Sequence, residues 1–161
     1  MTKQIVTQEE LKKQFHYDPL TGIFTRLATG FPAGFINKSL GYVVISVNNK
    51  RYYAHRLAFL YMTGEMPKFA DHRHGIRHDN RWSELRPATK SQNNMNSGLQ
   101  RNNTSGYTGV VFHRNRNKPW AARGKINGVT KCLGYYYTPE LAYEAYKEFS
   151  RKHYGEYFKE I

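Results

Sequence analysis

The stretch ADHRHGIRHDNRWSELRPATKSQNNMN, residues 70–96, brings together several kinds of side chain that bind metal ions or phosphate. It places Asp71 beside His72, adds histidines at 74 and 78, and ends in a run rich in asparagine. Three explanations fit such a segment: the active site of a metal-dependent phosphodiesterase, a zinc-binding module, or a polar loop that happens to be rich in histidine. The rest of the chain bears on the choice between them.

The charge balance of the whole chain indicates a polyanionic partner. The 161 residues include 25 Lys or Arg against 12 Asp or Glu, which gives a formal net charge of +13 at pH 7. The excess is spread along the chain, and nucleic acid is the commonest partner of such a protein, ahead of an anionic membrane. With 39% hydrophobic residues the chain can build a core. We therefore expect a folded, soluble protein that binds nucleic acid.

Cysteine content and the lack of long apolar runs predict the cellular compartment of the protein. Cys132 is the only cysteine, so the sequence excludes an internal disulfide and a zinc site built on cysteines. We find no apolar run near 20 residues and no signal-peptide pattern. The sequence therefore predicts a cytoplasmic protein without a membrane-spanning segment.

Residues 8–64 predict a small, mostly β region that ends in a helix. YDPLTGIFTRL (17–27) contains Asp-Pro and Thr-Gly turn signals, and Asn48-Asn49 stands between two β-rich runs, which indicates a hairpin. The segment AHRLAFLYMTG (54–64) has the apolar spacing of a helix, with a glycine to end it.

The segment after residue 100 has a different composition. Between Arg101 and Tyr137 there are seven Lys or Arg and no acid. Three β-rich runs occur there: YTGVVFH, WAARGKIN and TKCLGYYY. A helix is expected to follow from Thr138, with Leu141, Ala145 and Phe149 at helical spacing on its apolar side.

These patterns predict an α+β fold in two domains, a β-rich domain at 1–100 and a three-stranded antiparallel sheet packed on one helix at 101–161. In the middle strand of that sheet, alternation turns Trp120 and Ala122 toward the helix and the side chains of 123 and 125 toward solvent. The basic residues expected to contact DNA are Arg81, Arg86, His113, Arg114, Arg116, Lys118, Arg123 and Lys125. For Arg81 and Arg86, an alternative role in holding the motif together stays open.

The opening stretch has the residue types that phosphodiester hydrolysis requires. A metal ion must stabilise the developing charge, and a base must deprotonate water. Asp71 and Asn93 offer the hard oxygen ligands that Mg²⁺ prefers, and His72 is a candidate base. A strand, a turn at Gly75, a second strand and a helix beginning near Thr89 would bring Asn93 back against Asp71.

The same residues resemble a known family. DH at 71–72, DNRWSELRPAT at 79–89 and QN at 92–93 are similar to the HNH endonucleases of bacteriophages and mobile introns. This resemblance implies a ββα-metal fold in which His72 is the general base, while Asp71 and Asn93 hold one Mg²⁺ or Mn²⁺ ion per site. The position nine residues before Asn93 is usually Asn in that family, where it orients the base, and is Glu84 here. Either Asn80 or Glu84 is expected to take that role.

The C-terminal region resembles a second family. SGYTGV, the WAA strand, LGYY and the TPELAYEAY helix, within residues 104–154, are similar to the AP2 DNA-binding domain. Together the two resemblances imply a homing-type endonuclease of a phage or mobile element that nicks or cuts double-stranded DNA, with no small-molecule cofactor. A DNA-binding regulator with a degenerate HNH fold is the first alternative. Zinc held by His72, His74 and His78 is the second.

Overall fold

The computed structural model describes residues 6–95, 99 and 102–158 of the chain. Helices and short strands alternate through this part, which confirms the predicted mixture of α and β structure. The helices are α1 (Gln8–Gln14), α2 (Ala54–Thr63), α3 (Lys90–Met95) and α4 (Pro139–Tyr154). The strands are β1 (Phe15–Asp18), β2 (Ile23–Arg26), β3 (Phe35–Ile36), β4 (Val43–Val47), β5 (Lys50–Tyr53), β6 (Ala70–His72), β7 (Leu85–Pro87), β8 (Val110–Phe112), β9 (Trp120–Ile126) and β10 (Val129–Tyr136).

The chain divides into two compact units, Met1–Lys90 and Ser91–Ile161. The sequence predicts the boundary after residue 100, which is ten residues further along the chain. Some of the positions around it lie outside the described residues, so this boundary stays a prediction. No helix in the part of the chain that the structure describes is long and apolar enough to cross a membrane.

The first unit is built from small antiparallel sheets around one apolar core. The described sheets are β1–β2, β3–β4–β5 and β6–β7. Two of the predicted turns are confirmed. Asn48 and Asn49 join β4 to β5 with positive φ angles of 47° and 59°, and Gly64 ends α2 in the left-handed conformation at φ 82°. The core side chains buried most completely are Leu11, Phe15, Tyr17, Phe24, Ile45, Val47 and Leu57.

Helix α1 was not expected from the sequence, which predicted a mostly β region here. Its start is a capping box: the Thr7 side chain accepts a hydrogen bond from the Glu10 amide (3.2 Å), and the Thr7 amide donates one to the Glu10 carboxylate (2.8 Å). Leu11 is completely buried in the core. This packing stabilises a helix that is too short to be stable through helix propensity alone.

The second unit contains the expected three strands and helix. The sheet has the order β10–β9–β8, all antiparallel, and α4 packs on it. Thr138 caps α4, accepting a hydrogen bond from the Leu141 amide (3.3 Å). The prediction that Leu141 lies on the apolar side is wrong, because this side chain is 52% exposed. The helix face that meets the sheet is centred instead on Ala142, Tyr143, Tyr146 and Ser150.

Alternation along β9 is confirmed on the helix side. Ala122 is fully buried in the core of the second unit and Trp120 packs against it. A Cβ on Gly124 would lie 2.1 Å from the Phe149 ring, so strand and helix are in very close contact. Phe112 shares this side and packs on Trp120, with ring centroids 4.8 Å apart and the rings tilted by 58°. It stays 49% exposed because it lies at the end of the short strand β8.

Candidate active site

The opening stretch forms the strand, turn, strand and helix that the sequence predicted. Strands β6 and β7 pair antiparallel, Gly75 takes a positive φ of 72° in the turn after β6, and α3 begins at Lys90. A short 3₁₀ turn, Trp82–Glu84, leads into β7. The paired positions are Ala70 with Pro87, Asp71 with Arg86, and His72 with Leu85.

Asp71 forms a buried ion pair with the residue opposite it on the hairpin. The Arg86 guanidinium donates from Nε (2.9 Å) and from Nη2 (2.7 Å) to the same carboxylate oxygen, Oδ2. Both side chains are almost inaccessible to solvent. An Arg in this position holds the motif together, which favours that alternative over a direct DNA contact for Arg86. A buried pair of this kind is costly to break, because the partner left behind is an uncompensated charge.

His72 follows on β6 and is buried among aromatic rings. The His55 ring meets it edge to face at 5.0 Å between centroids, and the Tyr42 ring lies at 5.8 Å. Burial lowers the pKa of His72, while the neighbouring Asn80 side chain and the charges of nearby carboxylates oppose that shift. The imidazole is consequently neutral at neutral pH, which is the protonation state that a general base requires.

His55 is a neighbour of the candidate base that sequence reasoning did not single out. It is the second residue of α2 and is 5% exposed, and its Nδ1 atom is buried without a hydrogen-bond partner among the described residues. Burial, followed by the proximity of His72, lowers its pKa to about 3. The signal for it in the sequence is weak: a histidine in the first turn of a largely apolar helix.

Asn80 and Glu84, the two candidates for orienting the base, have different partners. Asn80 is 4% exposed, its side-chain amide donates to the His78 carbonyl (3.1 Å), and its side chain lies close enough to His72 to raise that residue's pKa. Glu84 instead binds the ring of His74, with 2.5 Å between Oε2 and Nδ1. The geometry favours Asn80 as the residue next to the base.

The metal ligands suggested by the sequence lie on different elements. Asp71 is on β6 and Asn93 is half-buried on α3. Carboxylate and amide oxygens are the kind of donor that a hard ion such as Mg²⁺ prefers.

The alternative zinc site finds less support in the structure. Among the described residues, no group of three or more His, Cys, Asp or Glu side chains is placed to hold a metal ion. His72 is buried, whereas His74 is 70% exposed at its side chain and bound to Glu84. His78 is exposed. The three histidines of that hypothesis therefore have three different environments.

The predicted DNA-contacting residues fall into two settings. Arg81 is bound to Asp79 through Nε and Nη2, the shortest distance being 2.6 Å, and its side chain is half-exposed. Arg86 is buried against Asp71, and the remaining residues lie in the second unit, on or next to its sheet. Arg114, Arg116, Lys118 and Lys125 are exposed, while His113 and Arg123 are half-buried.

Aromatic rings and a histidine order several of those basic side chains. The Arg116 guanidinium lies 4.0 Å from the centroid of Tyr135, and Lys118 lies 5.1 Å from that of Tyr137. Arg123 Nη2 and His113 Nε2 are 3.0 Å apart, within hydrogen-bonding distance. The face with these residues is thus both positively charged and partly preorganised.

Comparison with known proteins finds a similarity to nucleases around the hairpin. Residues 52–95 match the family model described as HNH endonuclease, from within β5 to the end of α3. A solved structure described as "DNA binding and cleavage by the HNH homing endonuclease I-HmuI" is similar at 24% sequence identity and a TM-score of 0.44, over 54% of this chain and 55% of that chain. This likeness therefore spans about half the length of that homing endonuclease. No curated protein matches the sequence. The family match ends at residue 95, so the AP2 resemblance of residues 104–154 stays a prediction.

Proposed function

We propose that this protein is a metal-dependent HNH endonuclease that hydrolyses phosphodiester bonds in double-stranded DNA. The observation that carries this proposal is the β6–β7 hairpin followed by α3, with a buried carboxylate and a buried neutral imidazole adjacent on one strand, in the segment that matches the HNH endonuclease family.

His72 has the clearest chemical role. Since burial keeps its imidazole neutral, the ring can take a proton from the attacking water. The water oxygen then forms a bond to phosphorus, and the bond from phosphorus to the 3′ oxygen breaks. The products carry a 5′ phosphate and a 3′ hydroxyl.

Asp71 and Asn93 are the residues that would hold one divalent ion, Mg²⁺ or Mn²⁺. When bound, such an ion supplies electrostatic stabilisation of the charge that develops on the phosphate and on the leaving oxygen. Arg86 holds the Asp71 carboxylate in place on β6 through its two hydrogen bonds. Asn80 keeps the ring of His72 in place from the other side of the loop.

DNA binding is assigned mainly to the sheet of the second unit, in the manner that the AP2 resemblance implies. Arg123 and Lys125 on β9 are proposed to face the DNA together with His113. Phosphate contacts are proposed for Arg114, Arg116 and Lys118 in the loop after β8. The net charge of +13 supports this partner.

The test is cleavage of supercoiled plasmid DNA by the purified protein with Mg²⁺, with EDTA, and with the His72→Ala variant. We expect nicked or linear product from the wild type with Mg²⁺ only. His72→Ala is expected to slow cleavage by about 10²-fold or more, the usual contribution of a general base, and to bind DNA with unchanged affinity. A wild type that binds DNA without cutting it would support the alternative of a non-cleaving regulator. Cutting by His72→Ala at the wild-type rate would remove the assignment of the base.

A further inference from the structure

The loop that contains Asn80 is held in place by a distant part of the chain. The hairpin of β1 and β2, with its turn at residues 19–22, lies against this loop at three separate points. None of these hairpin residues belongs to the segment that matches the HNH family, which begins at residue 52.

The first contact is a buried hydrogen bond. The Tyr17 hydroxyl on β1 donates to the main-chain carbonyl of Asn80 over 2.7 Å. Tyr17 is 1% exposed, and its ring stacks on Phe24 of β2 at 4.7 Å between centroids. The hydroxyl therefore has a fixed position, and the carbonyl that it binds cannot turn to water as a substitute partner.

The second and third contacts are backbone packing. The Trp82 amide donates to the Pro19 carbonyl over 2.9 Å. Gly22 takes a φ of +74°, and a Cβ built on it would lie 2.4 Å from the carbonyl carbon of Asn80 and from the amide nitrogen of Arg81. Only glycine permits that backbone conformation and that approach.

The next link leads from Asn80 to His72. Asn80 is 4% exposed, and its side-chain amide donates to the His78 carbonyl. The same loop is bonded to the backbone of His72, since the Gly75 amide donates to the His72 carbonyl over 2.8 Å, and the Asn80 side chain lies near the imidazole. The β1–β2 hairpin therefore fixes, at three points, the stretch of backbone that bears the Asn80 side chain.

We propose that the β1–β2 hairpin positions the general base: Tyr17 and Gly22 hold the loop that places Asn80 against His72. Tyr17 and Gly22 are positioning residues, since they contact neither substrate nor base. The inference rests on the proposed function in assigning the base role to His72, but the contacts that carry it do not depend on cleavage.

The test compares Tyr17→Phe with Tyr61→Phe in the full chain. Phe keeps the ring and removes only the hydroxyl that binds Asn80. Tyr61 belongs to the same aromatic cluster, 5.7 Å from Tyr17 between centroids, and its hydroxyl makes no hydrogen bond to the loop. Cleavage is measured under single-turnover conditions with Mg²⁺, and DNA affinity is measured in EDTA. Gly22→Ala serves as a stronger disturbance of the same contact.

We expect Tyr17→Phe to slow the single-turnover rate at least tenfold with unchanged DNA affinity, since a displacement of about 1 Å in a reacting group costs up to about 10²-fold. Tyr61→Phe is expected to cleave at the wild-type rate. If Tyr17→Phe cleaves as fast as the wild type, or if both variants are slowed alike, the proposal is overturned.

A second readout is independent of cleavage. In a ¹H–¹³C NMR spectrum of the histidine rings, the His72 signal is identified by its loss in His72→Ala. We expect this signal to move in Tyr17→Phe and to stay in place in Tyr61→Phe. A wild type that fails to cut DNA while the His72 signal still moves would reject the nuclease and retain the positioning role. An unmoved signal would reject the positioning role.

A third variant covers the case in which Tyr17→Phe does not fold. Asp18 holds the turn from its outer side, with Oδ1 accepting from the Leu20 amide (2.9 Å) and Oδ2 from the Thr21 hydroxyl (2.8 Å). Asp18→Ala loosens the turn without altering the core. The same two readouts then decide: a slowed rate and a shifted His72 signal support the proposal, and wild-type values for both overturn it.

Discussion

At the scale of single residues, the local environments of neighbouring polar side chains separate their roles. Asp71 and His72 are adjacent on β6 and equally buried, but one is paired with a guanidinium and the other is surrounded by rings. Burial among rings disfavours the charged form of the imidazole. Consecutive residues of β6 therefore supply a carboxyl group bound by a guanidinium and a neutral base.

Glu84 provides the sharpest test of how the loop works. It occupies the position that is usually Asn in the resembling family, yet its carboxylate binds His74, and Asn80 lies next to the base. We predict that Glu84→Asn keeps nicking activity within about threefold, because the Glu84 carboxylate binds the exposed His74 and not the base. Asn80 is the other candidate for orienting the base, and we expect Asn80→Ala to lose nicking activity. Loss of cleavage in a folded Glu84→Asn protein would reveal a direct role for this carboxylate.

His55 makes a prediction about stability and pH. Its pKa is lowered to about 3 in the folded state, against about 6.5 for an unperturbed histidine. As pH falls below about 6.5, the unfolded chain takes up a proton at this residue while the folded chain does not, so stability is complete above that pH and decreases down to about pH 3. The slope from this group approaches about 1.4 kcal/mol per pH unit.

The measurement is thermal or urea unfolding between pH 7.5 and pH 4.5, bounds chosen to lie on roughly either side of the unperturbed histidine pKa. We expect His55→Gln to be less stable at pH 7.5 and to lose less stability on acidification than the wild type. His16→Gln, a change on the exposed side of β1, is the control and should follow the wild-type curve. Parallel curves for wild type and His55→Gln would show that His55 is not the residue that couples folding to pH.

At the scale of elements, the strands and helices with strong local signals could be predicted, and their tertiary contacts could not. Asparagine pairs and glycines specify the turn after β4 and the end of α2 through positive φ angles. Helix α1 has weak apolar periodicity and depends on one capping box and on Leu11, which explains why sequence patterns missed it. Helical spacing predicts Leu141 on the apolar side of α4, but this side chain is exposed, because packing against the sheet determines which side of the helix is buried.

In the candidate site, too, local features could be predicted from the sequence and tertiary contacts could not. The motif residues on β6 and α3 could be named from the sequence, whereas His55 and Tyr17 could not, because they reach the site from parts of the chain far away in sequence. The roles of Arg86 and Glu84 also needed the structure. Strand register sets Arg86 opposite Asp71, and a one-residue shift would have sent it to the other side.

Contact between β9 and α4 yields a stability prediction. A methyl group at residue 124 would overlap the Phe149 ring, with only 2.1 Å between the Cβ and the nearest ring carbon. We expect Gly124→Ala to lower the free energy of unfolding by about 1–3 kcal/mol, the usual cost of overpacking. Lys125→Ala, at the next and exposed position of β9, should change it by less than about 0.5 kcal/mol. Equal stability of both variants in urea titrations would contradict the close packing of helix on strand.

At the scale of the whole molecule, one stretch of the chain is basic without any acid, and the candidate site lies on another stretch. The segment from 101 to 137 has seven basic residues and no acid, while the acids assigned or adjacent to the candidate site lie between 71 and 84. Such a division suits an enzyme that gains DNA affinity in one region and cuts with another. We therefore expect that substitutions in the two regions alter DNA affinity and turnover separately.

The final prediction uses this division and concerns salt. Replacing Arg114, Arg116 and Lys118 by Gln removes three exposed charges from the loop after β8, each assigned to a phosphate. Every phosphate contact that is lost should reduce the slope of log affinity against log salt concentration by roughly 0.9. The control replaces Lys12, Lys13 and Lys152, three exposed lysines on helices α1 and α4, and lowers the net charge by the same amount.

Fluorescence anisotropy over a salt series distinguishes the two triple variants. We expect the loop variant to bind more weakly at every salt concentration with a flatter slope, and the control to keep nearly the wild-type slope, because counterions are released only where side chains meet phosphate. Single-turnover cleavage at saturating protein should be unchanged in both, since neither set touches the candidate active site. If the two variants flatten the slope equally, net charge alone drives binding and the sheet of the second unit is not the DNA-binding surface.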